Sequence, residues 1–168
     1  MQDKDAANTT PGGGRMNVVN ELSLEQAHVF VNSTLKQQEN LKTRPRILIV
    51  EDDPSLAHLI ASFLTAHEYI VVIASTGESA VTILKDFIPD LIVLDLELPG
   101  TLTGWDVLQV VRRNVNIPVL LTTSVTFNIR KYLRTSGETR LTLDHLPKPY
   151  PVQALLRRIK RMLVSTPS

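Results

Sequence analysis

Five polar side chains that suit metal and phosphoryl chemistry stand at the ends of short apolar runs in this sequence. Glu51 and Asp52 follow the first run, and Asp95 follows the third. Thr123 closes the fourth run, and Lys148 comes just after the fifth. Carboxylates held close together repel each other unless a cation neutralises them, and oxygen ligands of this kind suit Mg²⁺. A carboxylate beside such an ion can attack phosphorus, while a hydroxyl and an ammonium can stabilise the charge on the phosphoryl group.

The elements that must bring these groups together are five strands with helices between them. The predicted strands are the apolar runs at residues 47–50, 69–73, 91–94, 119–122 and 141–146. The first and third contain no polar residue, which is typical of parallel strands covered on both faces. Strands that alternate with helices over about 120 residues predict a doubly wound α/β fold, whose ligand site lies beyond the carboxyl ends of the strands.

Helical patterns separate the predicted strands. Asp53 is placed to cap the first of these helices, with Pro54 at its first helical position. The apolar stripe of this helix consists of Leu56, Leu59, Ile60, Phe63 and Leu64. The other four helices are predicted to start near Gly77, Trp105, Phe127 and Val152.

The segment before these elements divides into two parts. Residues 1–22 are predicted to be a disordered tail, because their Thr, Pro and Gly content is typical of loops. Residues 23–44 are predicted to be a helical extension that begins with a capping box of Ser23 and Gln26. The thin apolar face of this helix consists of Leu24, Ala27, Val31 and Leu35. The α/β domain is predicted to occupy residues 45–165.

The composition limits the class of protein. No apolar run reaches the ~18 residues needed to cross a bilayer, and residues 1–15 contain no apolar stretch that would serve as a signal peptide. Cysteine is absent, which excludes disulfides and thiolate metal sites. A cytoplasmic location without membrane contact is therefore expected.

Charge is distributed unevenly along the chain, although the total is only +1. Residues 45–125 contain four basic and ten acidic side chains, a net −6, whereas residues 126–168 contain nine basic and two acidic ones, a net +7. The acidic middle suggests a cation site and the basic end suggests an anionic partner, although solvated helix faces have the same composition. The basic residues between Arg157 and Arg161 lie on the polar side of an amphipathic helix, and no DNA-reading motif is recognised. Nucleic acid is therefore not an expected partner.

Four motifs together make residues 45–165 resemble the receiver domain of two-component response regulators. The motifs are Ile47–Pro54, Pro89–Gly100, Ile117–Ser124 and Asp144–Tyr150. The resemblance implies a five-stranded parallel sheet with the flavodoxin-like strand order 2-1-3-4-5, which is the known order of a member of this family. It also implies a switch that receives its phosphoryl group from a histidine kinase or a phosphotransfer protein.

The same resemblance implies roles for individual residues. Asp95 would be the phosphoacceptor, with Lys148 paired to the phosphoryl oxygens. Asp52 would bind Mg²⁺ directly, and Glu51 would act mostly through water. Asp95 and the backbone carbonyl of Glu97 would complete the protein ligands of the metal.

One further role and one backbone conformation follow from the resemblance. Thr123 would be the switch hydroxyl that moves toward the phosphoryl group. Thr122 is the alternative, but Thr123 stands five residues on from Pro118, which favours it. The Lys148–Pro149 peptide would be cis, as it usually is in the family.

The sequence departs from the family pattern in four places. The loop 99–104 is longer than usual and lacks the common Asp before its second Gly. His145 stands where an aromatic switch residue is common, so it is either a switch with added pH sensitivity or a surface ring without a signalling role. Ser124 replaces a smaller residue. The segment between Thr123 and Lys148 is longer than usual and rich in basic side chains, which puts the usual output face in doubt.

The function expected from these features is that of a stand-alone response regulator without an output domain. Its downstream target would bind the face formed by the fourth helix, fifth strand and fifth helix of the receiver. Residues 23–44 would add a docking helix or a homodimer contact. The alternatives are a receiver-like module that binds partners without phosphorylation, and a phosphatase with an aspartate nucleophile of the haloacid-dehalogenase type.

Overall fold

The computed structural model describes residues 23–114, 116–124 and 127–164. The predicted tail at residues 1–22 lies outside these ranges. The chain divides into two compact units, of which the first ends at Leu41 and the second begins at Lys42. Helix α1 spans Leu24–Thr43, and its start is capped as predicted, because Gln26 N donates to Ser23 Oγ at 3.2 Å. Most of its predicted apolar face is exposed.

The second unit contains a five-stranded parallel sheet. The strands are β1 (Arg46–Val50), β2 (Ile70–Ala74), β3 (Leu91–Asp95), β4 (Val119–Thr123) and β5 (Leu143–Pro147). Their spatial order is β2-β1-β3-β4-β5, so the predicted doubly wound fold and strand order are confirmed. β1 and β3 lie inside the sheet and are almost wholly apolar, as the two unbroken apolar runs predicted.

Within the described part of this unit, five helices connect and cover the strands. They are α2 (Pro54–Ala66), α3 (Gly77–Ile83), α4 (Gly104–Asn114), α5 (Phe127–Thr135) and α6 (Val152–Val164). Asp53 caps α2, since its Oδ1 accepts hydrogen bonds from the backbone of Ser55 at 2.8 Å and of Leu56 at 3.3 Å. Among the described helices, none is both long and apolar enough to cross a membrane.

The core of this unit is divided between the two faces of the sheet. Leu48 and Val50 of β1 belong to the cluster on one face, while Ile47 and Ile49 belong to the cluster on the other. This alternation follows from the two-residue period of a strand. Each fully buried Leu or Ile contributes roughly 1.5–3 kcal/mol to the free energy of unfolding relative to an exposed one. The buried central strands therefore fix the positions of the residues that follow them at the sheet edge.

Two predictions about the core and the last strand are wrong. Leu59 was assigned to the apolar stripe of α2, but it is 56% exposed, because the buried face is already filled by Ala57, Ile60 and Leu64. Leu141 was assigned to β5, but β5 begins at Leu143. The residues before it form a turn between Thr139 and Thr142.

Candidate functional site

Three carboxylates meet at the carboxyl edge of the sheet. Val50 at the end of β1 is in register with Leu94 of β3, so the residues that follow them, Glu51 and Asp95, are neighbours. Carboxylate oxygens of Glu51, Asp52 and Asp95 all lie within 4.8 Å of one another. Glu51 is only 3% exposed and Asp95 only 2%, whereas Asp52 is open to solvent.

Lys148 connects two of these carboxylates. Its Nζ donates to Asp95 Oδ2 at 2.5 Å and to the two carboxylate oxygens of Glu51 at 2.8 and 3.0 Å. The backbone fixes this position, since Lys148 N donates to Thr123 O at 3.0 Å directly after β5. The Lys148–Pro149 peptide is cis, as predicted. Lys148 thus pairs with the expected phosphoacceptor itself.

The cluster has more negative than positive charges, and the pKa values of Glu51 and Lys148 are both shifted. Burial raises the pKa of Glu51, the hydrogen bond and charge of Lys148 oppose that change, and the charge of Asp95 adds to it. Burial by itself would lower the pKa of Lys148, but its bonds to Asp95 and Glu51 outweigh burial and raise it. Three carboxylates and one ammonium give a formal charge of −2, which a divalent cation would neutralise.

Asp95 is held in one orientation by contacts on both of its oxygens. Its Oδ1 accepts a hydrogen bond from Glu97 N at 2.9 Å, while its Oδ2 faces Lys148. Gly104, the first residue of α4, also lies against the Asp95 backbone, and a Cβ there would come within 2.1 Å of Asp95 O. The start of α4 can therefore approach the end of β3 only because residue 104 is glycine.

The side chain of Glu97 makes contacts that were not predicted, since only its backbone carbonyl had been given a role. Its Oε2 accepts hydrogen bonds from Thr123 Oγ1 at 3.1 Å and from Ser124 N at 2.9 Å. The bond from Ser124 N is the main cause that lowers the pKa of Glu97, and the Thr123 hydroxyl adds to it. The only sequence signal was an acidic residue two positions after Asp95.

Tyr150 is a second neighbour of the site that was not predicted. Burial raises the pKa of Tyr150 to about 12, and the negative charge of Glu51 adds to the effect. Its ring packs against the core cluster on one sheet face, which explains the burial. The motif Asp144–Tyr150 already ended on this aromatic residue, but no role had been given to it.

The remaining predicted residues are placed as follows. Thr122 and Thr123 are both buried at the end of β4, and successive strand residues point to opposite faces. Thr123 is the one bonded to Glu97, whereas Thr122 is in register with Asp95. His145 is half-buried in the middle of β5, in register with Leu121. Its switch role stays a prediction.

The loop at residues 99–104, which was predicted to be longer than usual, is attached to α3 by Glu78. Oε1 of Glu78 accepts hydrogen bonds from Thr101 N at 2.9 Å and Leu102 N at 3.0 Å, and it also contacts the Thr101 hydroxyl. Gly100 has a φ of 113° and lies directly against this carboxylate. These contacts fix the loop against α3.

A parallel doubly wound sheet with an acidic cluster and a lysine at its carboxyl edge defines the class of α/β signalling domains that the sequence motifs indicated. A family model described as the response regulator receiver domain matches residues 47–160. The chain belongs to this family.

Relatives with known names agree with this assignment. The transcriptional regulatory protein BaeR of Escherichia coli is 37% identical over 71% of this chain and 48% of its own length. The DNA-binding response regulator MtrA of Mycolicibacterium smegmatis is 32% identical over 71% of this chain and 51% of its own. The chain thus spans about half the length of the curated relatives it matches. Because these relatives are named as transcriptional and DNA-binding regulators, the expectation that nucleic acid plays no part is not supported.

Solved receiver domains have the same fold. The BeF3-activated receiver domain of RstA from Klebsiella pneumoniae superimposes with a TM-score of 0.61 and 32% identity, over 70% of this chain and 97% of that one. The non-phosphorylated HemR receiver domain from Leptospira biflexa gives a TM-score of 0.64 and 30% identity, over 74% and 98%. These similarities concern the receiver domain alone. Membership of the family places the chain among two-component signalling proteins.

Proposed function

We propose that Asp95 is the phosphoacceptor of this receiver domain and that Mg²⁺ is its metal ion. The observation that supports the proposal is the meeting of Asp95 with Glu51, Asp52 and Lys148 at one sheet edge, since this set combines a nucleophile, metal ligands and a cation. Each of these residue types alone is common on protein surfaces. Their convergence on a buried carboxylate is what favours phosphoryl chemistry.

In the proposed reaction an oxygen of Asp95 attacks the phosphorus of a phosphohistidine on a kinase or phosphotransfer protein. The new P–O bond forms as the P–N bond breaks, and the departing imidazole nitrogen keeps the bonding pair. Lys148 and the Thr123 hydroxyl are the groups that meet the charge on the transferred phosphoryl oxygens. The contact of Lys148 with Asp95 also keeps the carboxylate in its orientation before transfer.

The residues at this edge fit a hard divalent cation. Asp52 and Asp95 would hold Mg²⁺ directly, with the backbone carbonyl of Glu97 as a third ligand and Glu51 acting through water. Asp52 is open to solvent, which suits an ion that keeps several of its waters. When bound, the ion supplies charge neutralisation between the carboxylates and the incoming phosphoryl group.

The consequence of phosphorylation would be a change of state. A phosphoryl group adds about −1.5 to −2 charge at Asp95, which would bias the positions of Thr123 and His145. The face formed by α5, β5 and α6 would then present a different surface to its target or to a second copy of the chain. Since its relatives are named as transcriptional regulators, we propose that the output is transcriptional.

The test uses the whole chain, Mg²⁺ and a small phosphodonor such as acetyl phosphate. Mg²⁺ binding is followed by the fluorescence of Trp105, which lies at the start of α4, and phosphorylation is followed by intact mass. The wild type should gain one acid-labile phosphoryl group, and Asp95→Asn should gain none at that position. Asp86→Asn, which removes an exposed carboxylate, should behave like the wild type. Equal labelling of Asp95→Asn at the same site would contradict the proposal.

A further inference from the structure

We propose that the Glu97 carboxylate is an internal competitor of the phosphoryl group. It accepts hydrogen bonds from two donors at the end of β4, the strand paired with the strand of Asp95, namely the Thr123 hydroxyl and the Ser124 backbone N–H. It must release both before a phosphoryl group on Asp95 can use them. The inference rests on the proposed function and adds a residue that restrains the reaction.

The geometry that supports it is a single oxygen with two donors. Glu97 Oε2 accepts from Thr123 Oγ1 at 3.1 Å and from Ser124 N at 2.9 Å. The backbone of the same residue is tied to the acceptor, because Glu97 N donates to Asp95 Oδ1 at 2.9 Å. Glu97 therefore connects the phosphoacceptor of β3 with the switch hydroxyl of β4.

The chemistry of the two groups explains why they would compete. A carboxylate and a phosphoryl group are both anionic oxygen acceptors, and each forms strong bonds with hydroxyl and amide donors. Two anions cannot share the same two donors without repelling each other. The phosphoryl group has the larger charge and is covalently attached to Asp95, so it should displace Glu97 once transfer has occurred. Glu97 is exposed, so its side chain can turn out to solvent.

Displacement of the Glu97 carboxylate would also explain how Thr123 changes its hydrogen-bond partner after phosphorylation. Before transfer, Thr123 is held by Glu97, and afterwards the released hydroxyl bonds to the phosphoryl oxygens. The carboxylate thus stabilises the unphosphorylated state and slows transfer, because the incoming dianion meets its charge. Removing the carboxylate should speed transfer from a phosphodonor to Asp95, because the hydrogen bond between Glu97 and the Thr123 hydroxyl no longer has to break.

The experiment compares Glu97→Ala and Glu97→Gln with the wild type at saturating Mg²⁺. The rate of phosphorylation of Asp95 by acetyl phosphate is measured by intact mass, and the affinity for beryllofluoride, a phosphoryl analogue, by Trp105 fluorescence. We expect Glu97→Ala to raise both by about tenfold or more, and Glu97→Gln to raise them less, since its amide oxygen can still accept. Asp86→Asn is the matched control for loss of one exposed negative charge and should change neither.

A second measurement needs no phosphodonor. Amide hydrogen exchange of Ser124 in the unphosphorylated protein should be about tenfold faster in Glu97→Ala, because its N–H loses its acceptor, and unchanged in Asp86→Asn. The Mg²⁺ dissociation constant of Glu97→Ala should stay within about twofold of the wild type. A tenfold weaker affinity for Mg²⁺ would overturn the inference, because the side chain would then serve the metal.

The outcomes separate this inference from the proposed function. If Asp95 is labelled equally fast in the wild type and in both Glu97 variants, the inference is wrong and the phosphoacceptor stands. If Asp95 is labelled in none of the proteins, the proposed function is wrong and the inference falls with it. Slower labelling of Glu97→Ala would likewise overturn the inference, because Glu97 would then assist transfer.

Discussion

At the scale of single residues, Lys148 determines the charge balance of the site. It lies between Glu51 and Asp95, two carboxylates that are almost completely buried. Buried charges are costly unless they are paired, so the ammonium allows both acids to stay in the interior. It neutralises only one of the three negative charges at this edge, which leaves the formal charge of −2 that the proposed metal ion would neutralise.

Tyr150 provides a pH test of how closely this site is packed. Burial raises the pKa of Tyr150 from 10.0 to about 12, so between these values the folded state keeps a proton that the unfolded state loses. Stability should therefore fall as the pH rises from 10 to 12, by about 1–2 kcal/mol after allowance for solvent screening. Urea unfolding across this range should show that Tyr150→Phe loses less stability than the wild type.

The control for this measurement is Tyr132→Phe, which changes a second half-buried tyrosine, on α5. Its stability should decline with pH in the same way as that of the wild type. A Tyr150→Phe protein whose stability falls as steeply as the wild type would show that the Tyr150 hydroxyl does not ionise differently in the folded state.

The positions of single residues also show which parts of the site can be predicted from the sequence. Glu51, Asp52, Asp95 and Lys148 were predicted to meet, because each follows a strand and parallel strands end at one sheet edge. The side-chain contacts of Glu97 were not predicted, since they depend on the rotamer and the path of a loop. The spacing of residues along the sequence predicts the element to which each residue belongs. It does not predict which side chains form hydrogen bonds with each other.

At the scale of elements, the loop between β3 and α4 depends on an acid from another helix. The Thr101 hydroxyl and the backbone of Thr101 and Leu102 lower the pKa of Glu78 to about 2. Glu78 thus stays ionised at neutral pH, and the attachment should weaken only as the pH falls from about 4.5 toward 2. This attachment fixes the loop between β3 and α4, which ends at Gly104 against the Asp95 backbone.

Replacing Glu78 with alanine should release this loop. The backbone N–H groups of Thr101 and Leu102 lose their acceptor, so we expect their amide hydrogen exchange to become about tenfold faster at neutral pH. The exchange of residues in β1 should stay the same, because those residues lie in the buried sheet. Asp86→Ala, another exposed acid, is the control, and unchanged exchange at Thr101 in Glu78→Ala would refute the attachment.

The long connection between α5 and β5 is held by Arg112 of α4. Its guanidinium donates to both carboxylate oxygens of Glu138, at 2.6 and 2.9 Å, and also to Ile117 O and Thr142 O. Arg112→Ala leaves these acceptors without a partner, so the free energy of unfolding should drop by about 2 kcal/mol. Urea unfolding measures it, with the exposed neighbour Arg113→Ala as the control. A loss equal to that of Arg113→Ala would show that the contacts contribute nothing.

The same connection explains why the start of β5 was predicted two residues too early. The apolar Leu141 extends the run of the strand in sequence, but the backbone N–H of Leu143 bonds to Thr139 O at 2.9 Å and closes a turn. Leu141 is 38% exposed in this turn. The pattern of apolar residues predicts strands in the interior of the sheet well. Before an edge strand, residues that favour a turn can make the strand begin later than the apolar pattern predicts.

At the scale of the whole molecule, the receiver unit has acidic side chains at the carboxyl edge of its sheet and basic side chains in its last helix. Asp144 of β5 is 3% exposed and pairs with Arg158 and Arg161 of α6, which ties the last helix to the edge strand. The face that contains these elements is the one that we expect to change after phosphorylation. The doubly wound fold was predictable from strands that alternate with helical patterns, whereas the strand order came only from the resemblance to the receiver family.

The proposed function depends on one event, the phosphorylation of the buried Asp95 carboxylate with the help of a divalent ion. The most direct test treats the phosphorylated protein with borohydride, which reduces an aspartyl phosphate to homoserine, and maps the product by peptide mass. We predict homoserine at position 95 only, in the presence of Mg²⁺, and none after chelation. A phosphoryl group on another residue, or equal labelling of Asp95 without a divalent ion, would contradict the proposed function.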